Sequence, residues 1–278
     1  MANDAMSAAE LSLNHLYADL DRRMAYLRRH HEPVSVSRKI VERALLDGDA
    51  HYGINTGFGV LANKRISRDD LAILQKNILL SHACGVGDPI PPEITRLMLQ
   101  LKIHSLSLGY SGVSEQTFMQ LLELEDKDIL PCIPSRGSVG ASGDLAPLAH
   151  MCLPLIGRGE VWDENLSAGV PAAAVLGAKG VKPIDLQAKD GLALINGTQM
   201  MAAYGAFVLE RTLVLQREAD LLAAMSLEAL QGSSAPFDER IHAIRPHHGQ
   251  QVVAANIRKL LEGSEILASH RDCGKVQD

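Results

Sequence analysis

Most of the chain shows the hydrophobic spacing of amphipathic α-helices. Leucines recur between charged residues along residues 8–30, and a second helix is predicted from Pro33 to Gly48. Ser67 begins a capping sequence, and the apolar positions after it fit a helix that ends at Gly85. The N-terminal part of the chain is therefore predicted to be helical.

The same spacing continues through the rest of the sequence. It predicts helices over residues 94–108, 114–125, 188–231 and 250–261. Between residues 157 and 180 the periodicity is lost and Gly, Ala and Pro are frequent, which indicates a strand-and-loop segment. The pattern as a whole predicts a mainly α protein with little sheet.

Length, composition and charge indicate a globular protein and exclude one class of partner. The chain has 278 residues, enough for one large domain or two medium ones, of which 46% are hydrophobic and 22% charged. Its net charge is −6 and no basic block occurs, so the electrostatic footprint of a nucleic-acid-binding protein is missing. Aromatic residues make up only 4%, too few for platforms on which bases stack. We therefore expect no nucleic-acid partner.

Cysteine usage and the N-terminal sequence predict a cytoplasmic protein. The first residues lack a basic stretch followed by an apolar core, so no signal peptide is predicted. The cysteines are far apart and form no CxxC pair, as expected of reduced thiols; they are Cys84, Cys132, Cys152 and Cys273. Zinc-type histidine spacing is also missing, so we expect no metal.

The longest uncharged run, residues 191–209, is nearly long enough to cross a bilayer. Asn196, Thr198 and Gln199 lie near its middle, and interfacial anchors are missing. We therefore predict a buried bundle helix with Asn196 inside it, and no membrane span.

The stretch with the most distinctive chemistry is residues 134–150. It contains three glycines, Gly137, Gly140 and Gly143. After Asp144 the sequence becomes apolar, so the glycine-rich loop is expected to border a core. The tripeptide Ala141-Ser142-Gly143 has the residues that backbone cyclisation requires, since an unhindered glycine nitrogen can attack the Ala141 carbonyl and the serine can lose its hydroxyl. The product would be a five-membered ring with an electrophilic alkene; an ordinary small-residue turn is the alternative.

The run GSVGASGDLAPLAH, residues 137–150, closely resembles the signature of the aromatic amino acid ammonia-lyases. In that family the Ala-Ser-Gly tripeptide becomes the MIO prosthetic group (4-methylidene-imidazol-5-one). The resemblance therefore implies an MIO formed autocatalytically from Ala141, Ser142 and Gly143, with no metal or nucleotide.

The resemblance also implies a fold. It is a mainly α, long-helix bundle of the ammonia-lyase type, with a smaller loop-rich N-terminal region and minor β structure. The expected division is residues 1–110, which carry the loop around Tyr52, and residues 111–278, the first part of the central helical bundle.

Three further segments are similar to the family's active-site motifs. The sequence YGINTGFG begins at Tyr52 and resembles the N-terminal signature, which makes Tyr52 the expected base for the β-proton. The sequence NGTQ begins at Asn196, which is then expected to lie beside the electrophile and the substrate. The short sequence VQD contains Gln277, which resembles an active-site glutamine. Without the resemblance, Tyr52 would be a packed loop tyrosine and Asn196 a paired core amide.

His82 indicates the substrate. The pair Ser81-His82 stands at the family's selectivity position and resembles the histidine ammonia-lyases, where a polar pair can hydrogen-bond an imidazole. The resemblance implies elimination of ammonia from L-histidine to give trans-urocanate, with His82, Asn196 and Gln277 at the substrate. A phenylalanine or tyrosine ammonia-lyase, an aminomutase or an inactive helical fragment stays open. A hydrolase with Ser142 as nucleophile is disfavoured, because no glycine stands two places after the serine.

Members of the family are considerably longer than this chain. The next segment is expected to bring a Tyr-Ser-Leu-Arg-like motif whose arginine holds the substrate carboxylate, but the sequence stops at Asp278. Because members of the family are tetramers in which each active site is built from several subunits, the resemblance implies a homotetramer for the full-length protein. The 278 residues alone are expected to be inactive.

Overall fold

A computed structural model describes residues 11–57 and 65–271. The predicted mainly α fold is confirmed, because helices make up most of the described residues and the strands are short. The chain divides into two compact units, one ending at Phe207 and the other beginning at Val208. The expected boundary at residue 110 lies inside the first unit, so the division into residues 1–110 and 111–278 stays a prediction.

The helices of the first unit surround one hydrophobic core. Leu20, Ile103, Phe118, Leu148 and Leu194 come from five different helices, and all are fully buried. The helices are α1 (Leu16–Leu27), α2 (Glu32–Ala44), α3 (Arg68–His82), α4 (Pro92–Ser107), α5 (Glu115–Asp126), α6 (Leu145–Cys152), α7 (Ala172–Ala178) and α8 (Asp190–Ile195). The helix α9 (Gln199–Ala229) begins in this unit and ends in the next.

The first unit also contains two antiparallel strand pairs. In the first pair, β1 (Val86–Pro89) lies against β2 (Pro134–Arg136); in the second, β3 (Glu160–Trp162) lies against β4 (Gly169–Pro171). The second pair confirms the strand-and-loop prediction for residues 157–180, although α7 was not expected there. The first pair matters for the site, since it brings the chain that follows α3 next to the chain that precedes the glycine-rich loop.

Several predicted helix starts are confirmed by capping hydrogen bonds. The Ser67 hydroxyl accepts from the backbone N–H of Asp70 (3.3 Å) at the start of α3. The Ser114 hydroxyl accepts from the N–H of Thr117 (3.2 Å) at the start of α5. The end of α3 differs from the prediction, because the helix stops at His82 and not at Gly85.

The prediction of one continuous helix over residues 188–231 is wrong. The chain leaves the helix at Asn196, which is extended (φ −88°, ψ 122°), and re-enters it at Gln199. Gly197 between them has φ +150°, a conformation that favours glycine. The carbonyl groups of Asn196 and Gly197 bond to other segments of the chain instead, as described below, and these bonds replace the helical ones.

The helix α9 is far more exposed than predicted for a buried bundle helix. The stretch Asp190–Ala229 is long and apolar enough to cross a membrane by composition alone, but only 28% of its most apolar window is buried. Leu215 and Leu222 are 63% and 59% exposed. The break at residue 196 leaves an uncharged helical run of about 11 residues, roughly 16 Å long, about half the thickness of a bilayer core. The absence of a membrane span stays a prediction.

The second unit has a small core of its own. Ala224, Ile257 and Leu261 are its buried residues. The predicted helix over residues 250–261 is confirmed, and two short helices that the sequence did not indicate flank it. The helices are α10 (Glu239–Ile244), α11 (His248–Leu260) and α12 (Glu265–Ser269).

Candidate active site

The glycine-rich loop connects β2 to α6 and changes from exposed to buried within a few residues. Residues 137–142 are exposed, whereas Gly143 and Asp144 are buried. Helix α6 then enters the core, where Leu148 is fully buried. This confirms that the loop borders a core, and it leaves Ala141 and Ser142 accessible on the surface of the unit.

Gly143 lies where no other residue would fit. Its φ is +117°, and a Cβ at this position would stand 2.4 Å from the carbonyl oxygen of Gly197. Gly140 in the same loop also has a positive φ (+65°), but none of the described residues has an atom within 4 Å of its missing Cβ. The close approach is therefore specific to Gly143 and presses the tripeptide against the break between α8 and α9.

Asp144 fixes this contact with three hydrogen bonds. Its backbone N–H donates to the Gly197 carbonyl (2.7 Å), and its carboxylate accepts from the Ser138 hydroxyl (2.8 Å) and from the N–H of Met201 (3.0 Å). The side chain is 0% exposed. Met201 is the third residue of α9, so Asp144 closes the loop and also caps α9, where the helix dipole favours a negative charge.

Asn196 is exposed at the end of α8, and not inside a helix as predicted. Its carbonyl oxygen accepts a hydrogen bond from Lys102 Nζ (2.9 Å), and the carbonyl of the next residue is the one that Asp144 bonds. Together with the approach of Gly143 to Gly197, these bonds bring the backbone of the NGTQ segment next to the tripeptide. The role of the Asn196 side chain stays a prediction.

The position of α8 depends on Asp190, which the sequence did not single out because an acidic residue at a helix start is ordinary. Its buried carboxylate accepts four hydrogen bonds, from Ser114 N (2.7 Å), Ser114 Oγ (2.7 Å), Thr117 Oγ1 (2.8 Å) and Gln187 N (2.9 Å). The guanidinium of Arg38 lies 3.8 Å away. This network joins the start of α8 to the start of α5.

His82 is the last residue of α3 and is half-buried. Its Nδ1 lies 2.9 Å from the carbonyl oxygen of Ile78 and 3.1 Å from the Ser81 hydroxyl. Because the carbonyl can only accept, the shorter contact assigns the proton to Nδ1. In the neutral ring Nε2 is then the acceptor. His82 can therefore offer a hydrogen-bond acceptor at Nε2.

His150 links the segment after His82 to the loop. The backbone N–H of Gly85 donates to its Nε2 (3.0 Å), and a Cβ at Gly137 would lie 3.0 Å from the Gly85 Cα. Burial lowers the pKa of His150, and the hydrogen bond requires its neutral form. The residue belongs to the GSVGASGDLAPLAH run, but nothing in its spacing pointed to this contact.

Replacing His150 with phenylalanine is expected to destabilise the protein by about 1–2 kcal/mol, because the Gly85 N–H loses its acceptor. His150→Gln retains an acceptor and is the matched control. The neutral His150 contributes its full stabilisation above pH about 6.5, and this contribution is lost as the pH falls through its lowered pKa. The difference in unfolding midpoint between wild type and His150→Phe should therefore shrink as the pH is lowered from 7.5 to 5. Burial also lowers the pKa of His104, but His104 is present in both proteins and does not affect this difference. A constant difference would contradict the assignment.

The roles of Tyr52 and Gln277 stay predictions. Tyr52 lies in a turn and is 57% exposed, although the backbone around it is buried at Gly53 and Asn55. The side-chain N–H of Asn55 donates to the Asp49 carbonyl (2.8 Å), and its Oδ1 accepts from the His51 N–H (2.7 Å). These two hydrogen bonds shape the turn. Gln277, with the Phe58-Gly59 end of the YGINTGFG motif, lies outside the described residues.

The structure leaves the expectation of no metal as a prediction. Within residues 11–57 and 65–271, His, Cys, Asp and Glu side chains form no group of three or more that could hold an ion. Cys132 and Cys152 are buried free thiols, and Cys84 is an exposed one. Burial raises the pKa of Cys132 to about 11, so this thiol stays protonated at neutral pH.

Comparison with known proteins gives a consistent result. The family model for aromatic amino acid lyases matches residues 11–278. A histidine ammonia-lyase from Sorangium cellulosum is 49% identical over 250 residues, which are 89% of this chain and 48% of the relative. The crystal structure of histidine ammonia-lyase from Trypanosoma cruzi has a TM-score of 0.77 and 38% identity, over 86% of this chain and 47% of that one.

A tyrosine aminomutase from Streptomyces globisporus is also similar in structure, with a TM-score of 0.79 and 32% identity over 97% of this chain and 54% of that one. This chain spans about half the length of the curated relatives it matches. The match over nearly the whole sequence places the protein in a family with several known activities. The chain belongs to the aromatic amino acid lyase family.

Proposed function

We propose that the full-length protein is an MIO-dependent ammonia-lyase that converts L-histidine to trans-urocanate and ammonia. The observation that carries the proposal is the position of Gly143, bent to φ +117° and pressed against the Gly197 carbonyl next to an accessible Ala141-Ser142 pair.

The residues of the loop fit the requirements of the ring. Cyclisation joins the Gly143 nitrogen to the Ala141 carbonyl carbon and releases one water, and loss of the Ser142 hydroxyl as a second water leaves the methylidene. Asp144 and Gly197 hold the buried end of the tripeptide, and Ala141 and Ser142 face outward. When formed, the MIO group supplies an electrophilic alkene that accepts electrons from the substrate.

The remaining proposed roles belong to ordinary side chains. Tyr52 removes the β-proton of the substrate, a role that its exposed position permits. His82 orients the imidazole through Nε2, which its bond to Ile78 leaves as an acceptor. Asn196 and Gln277 organise the ring and the substrate. The substrate is an amino acid that the protein binds in the cytoplasm.

Sequence similarity favours histidine over the other substrates of the family. Among the similar solved structures, the histidine ammonia-lyase is 38% identical to this chain, whereas the aminomutases are 29–32% identical. A phenylalanine or tyrosine lyase or an aminomutase remains the alternative. We further propose that the full-length protein is a homotetramer with shared active sites, which would cover the exposed apolar residues of α9.

The mass of the peptide that spans residues 136–150 tests the ring directly. In the complete gene product we expect this peptide to lack the mass of two water molecules, because cyclisation and dehydration each release one. Ser142→Ala cannot form the methylidene and is expected to lose, at most, the single water of cyclisation. A full, unmodified mass in folded wild-type protein would overturn the proposal.

The substrate is tested separately with histidine, phenylalanine and tyrosine, each followed by the absorbance of its unsaturated product. We expect turnover of histidine only. If protein that carries the ring turns over another amino acid, the proposed substrate is wrong but the proposed chemistry is retained.

A further inference from the structure

Lys102 is a charged side chain in the middle of the core of the first unit. It lies on α4 between Leu99 and Ile103, both fully buried, and is itself only 2% exposed. Lysine is rarely buried to this degree, because removing an ammonium group from water costs several kcal/mol unless it is well paired. A buried lysine therefore calls for an explanation.

The ammonium group of Lys102 points to the break between α8 and α9. Its Nζ donates to the carbonyl oxygen of Asn196 at 2.9 Å, the one acceptor it bonds within the part of the chain that the structure describes. Burial lowers its pKa to about 8. Cys152 on α6 is the group whose charge couples to it, but burial raises the pKa of that thiol to about 12, so it supplies no counter-charge at neutral pH. The carbonyl of Asn196 thus takes the place of an ion-pair partner.

The break at residues 196–197 is fixed by two successive carbonyl groups. Lys102 holds the carbonyl of Asn196 from the core side, and the N–H of Asp144 holds the carbonyl of Gly197 from the loop side. A helix that continued would direct both carbonyls to backbone N–H groups four residues later. The two external donors therefore stabilise the extended conformation in which Asn196 is exposed.

We propose that Lys102 is a positioning residue for the lyase site, which acts by holding the backbone of Asn196 in the extended conformation that presents its side chain next to the Ala141–Gly143 tripeptide. The inference rests on the proposed function, since it assigns the effect of Lys102 to the reaction. Under this proposal Lys102 acts on the site only through its hydrogen bond to the Asn196 carbonyl.

The stability of Lys102→Met separates positioning from a purely structural role. Methionine has a similar length and no charge to bury, so we expect the unfolding midpoint to stay the same or rise. The kcat for histidine in the complete gene product should nevertheless fall by about 10- to 100-fold, because a displaced Asn196 no longer meets the reacting groups. Lys76→Met on the exposed face of α3 is the control and should change neither quantity. If Lys102→Met lowers the unfolding midpoint and loses activity only to the extent that it is unfolded, the proposal is overturned.

A double-mutant cycle with Asn196→Ala tests whether Lys102 acts through Asn196. In the Asn196→Ala background, Lys102→Met should cost no further activity, because the side chain that it positions is already missing. Additive losses would show that Lys102 acts by another route and would contradict the assignment.

Hydrogen exchange provides a readout that does not depend on activity. We expect faster exchange in the peptide covering residues 192–201 of Lys102→Met than of wild type or Lys76→Met, because the break loses one of its two anchors. Lys102→Gln has a shorter side chain that reaches less far, so its exchange rate should lie between those of wild type and Lys102→Met. This variant replaces Lys102→Met if Lys102→Met does not fold. Unchanged exchange would overturn the proposal. If the protein proves to lack the MIO ring, the exchange result still shows whether Lys102 holds the backbone of Asn196. Failure of the proposed function and failure of the Lys102 proposal can therefore be told apart.

Discussion

Gly143→Ala is expected to abolish formation of the proposed ring and, with it, the lyase activity proposed for the complete protein. The new Cβ would stand 2.4 Å from the Gly197 carbonyl oxygen at a φ of +117°, which an L-residue rarely adopts. Either the loop or the break at Gly197 must move, and the bond from the Asp144 N–H to the same carbonyl would be lost with it. We expect a loss of about 2–4 kcal/mol in the free energy of unfolding.

Gly140→Ala is the control within the same loop. Gly140 has a positive φ, but its new Cβ would meet no atom of the described residues, so the substitution should cost only about 1 kcal/mol and leave the ring intact. Chemical denaturation and the mass of the peptide spanning residues 136–150 check both variants. Ring formation in Gly143→Ala would show that the contact with Gly197 is dispensable.

Asp190→Ala is expected to destabilise the first unit strongly, by about 3–5 kcal/mol. The carboxylate is fully buried and all four of its hydrogen-bond partners are donors, from Ser114, Thr117 and Gln187. Alanine would leave these donors unpaired in the core. Because α8 begins at Asp190 and ends next to Asn196, the active site should lose its order along with the stability.

Two companion variants make this result specific. Asp190→Asn can still accept with one oxygen and should cost less than Asp190→Ala. Asp163 accepts a similar set of bonds from Ser167 N (2.7 Å), Ser167 Oγ (2.8 Å) and Ala168 N (3.2 Å) at the surface, so Asp163→Ala should cost about 1 kcal/mol or less. Equal losses for Asp190→Ala and Asp163→Ala, measured by urea unfolding, would contradict the role of burial.

The helices could be predicted where local sequence determines them. Ser67 and Ser114 cap helices through bonds to N–H groups three residues away, and this spacing is visible in any sequence. The break at Asn196 could not be predicted, because the groups that stabilise it are Lys102 and Asp144. A run that is apolar on both sides of the break has the same pattern as an unbroken helix.

The exposure of α9 was missed for a related reason. Hydrophobic composition predicts that a helix will be covered, but it does not say whether the cover comes from the same chain. Leu215, Leu222 and Met225 are all exposed in this chain, which spans about half the length of its relatives.

The candidate site was predictable where its chemistry lies in consecutive residues. Ala141-Ser142-Gly143 and the resemblance around it identified the loop, and the structure brings that loop against Gly197. The supporting residues Asp190, His150 and Lys102 were not identified, because an acidic helix start, a helical histidine and a lysine among leucines are all common in sequences. The roles of Tyr52 and Gln277 stay predictions.

The bonds of Asp144 have a consequence for the order of events during synthesis. The residues that bend Gly143 lie well downstream, and the bond from Met201 to Asp144 spans 57 positions of the chain. Closing such a loop costs conformational entropy, so the contact forms late relative to the local helices. A ribosome must therefore have released the chain to beyond Met201 before the tripeptide can be held in its native shape. Under the proposed function, the two-water mass deficit would then be a permanent chemical record that a given molecule had completed its tertiary structure.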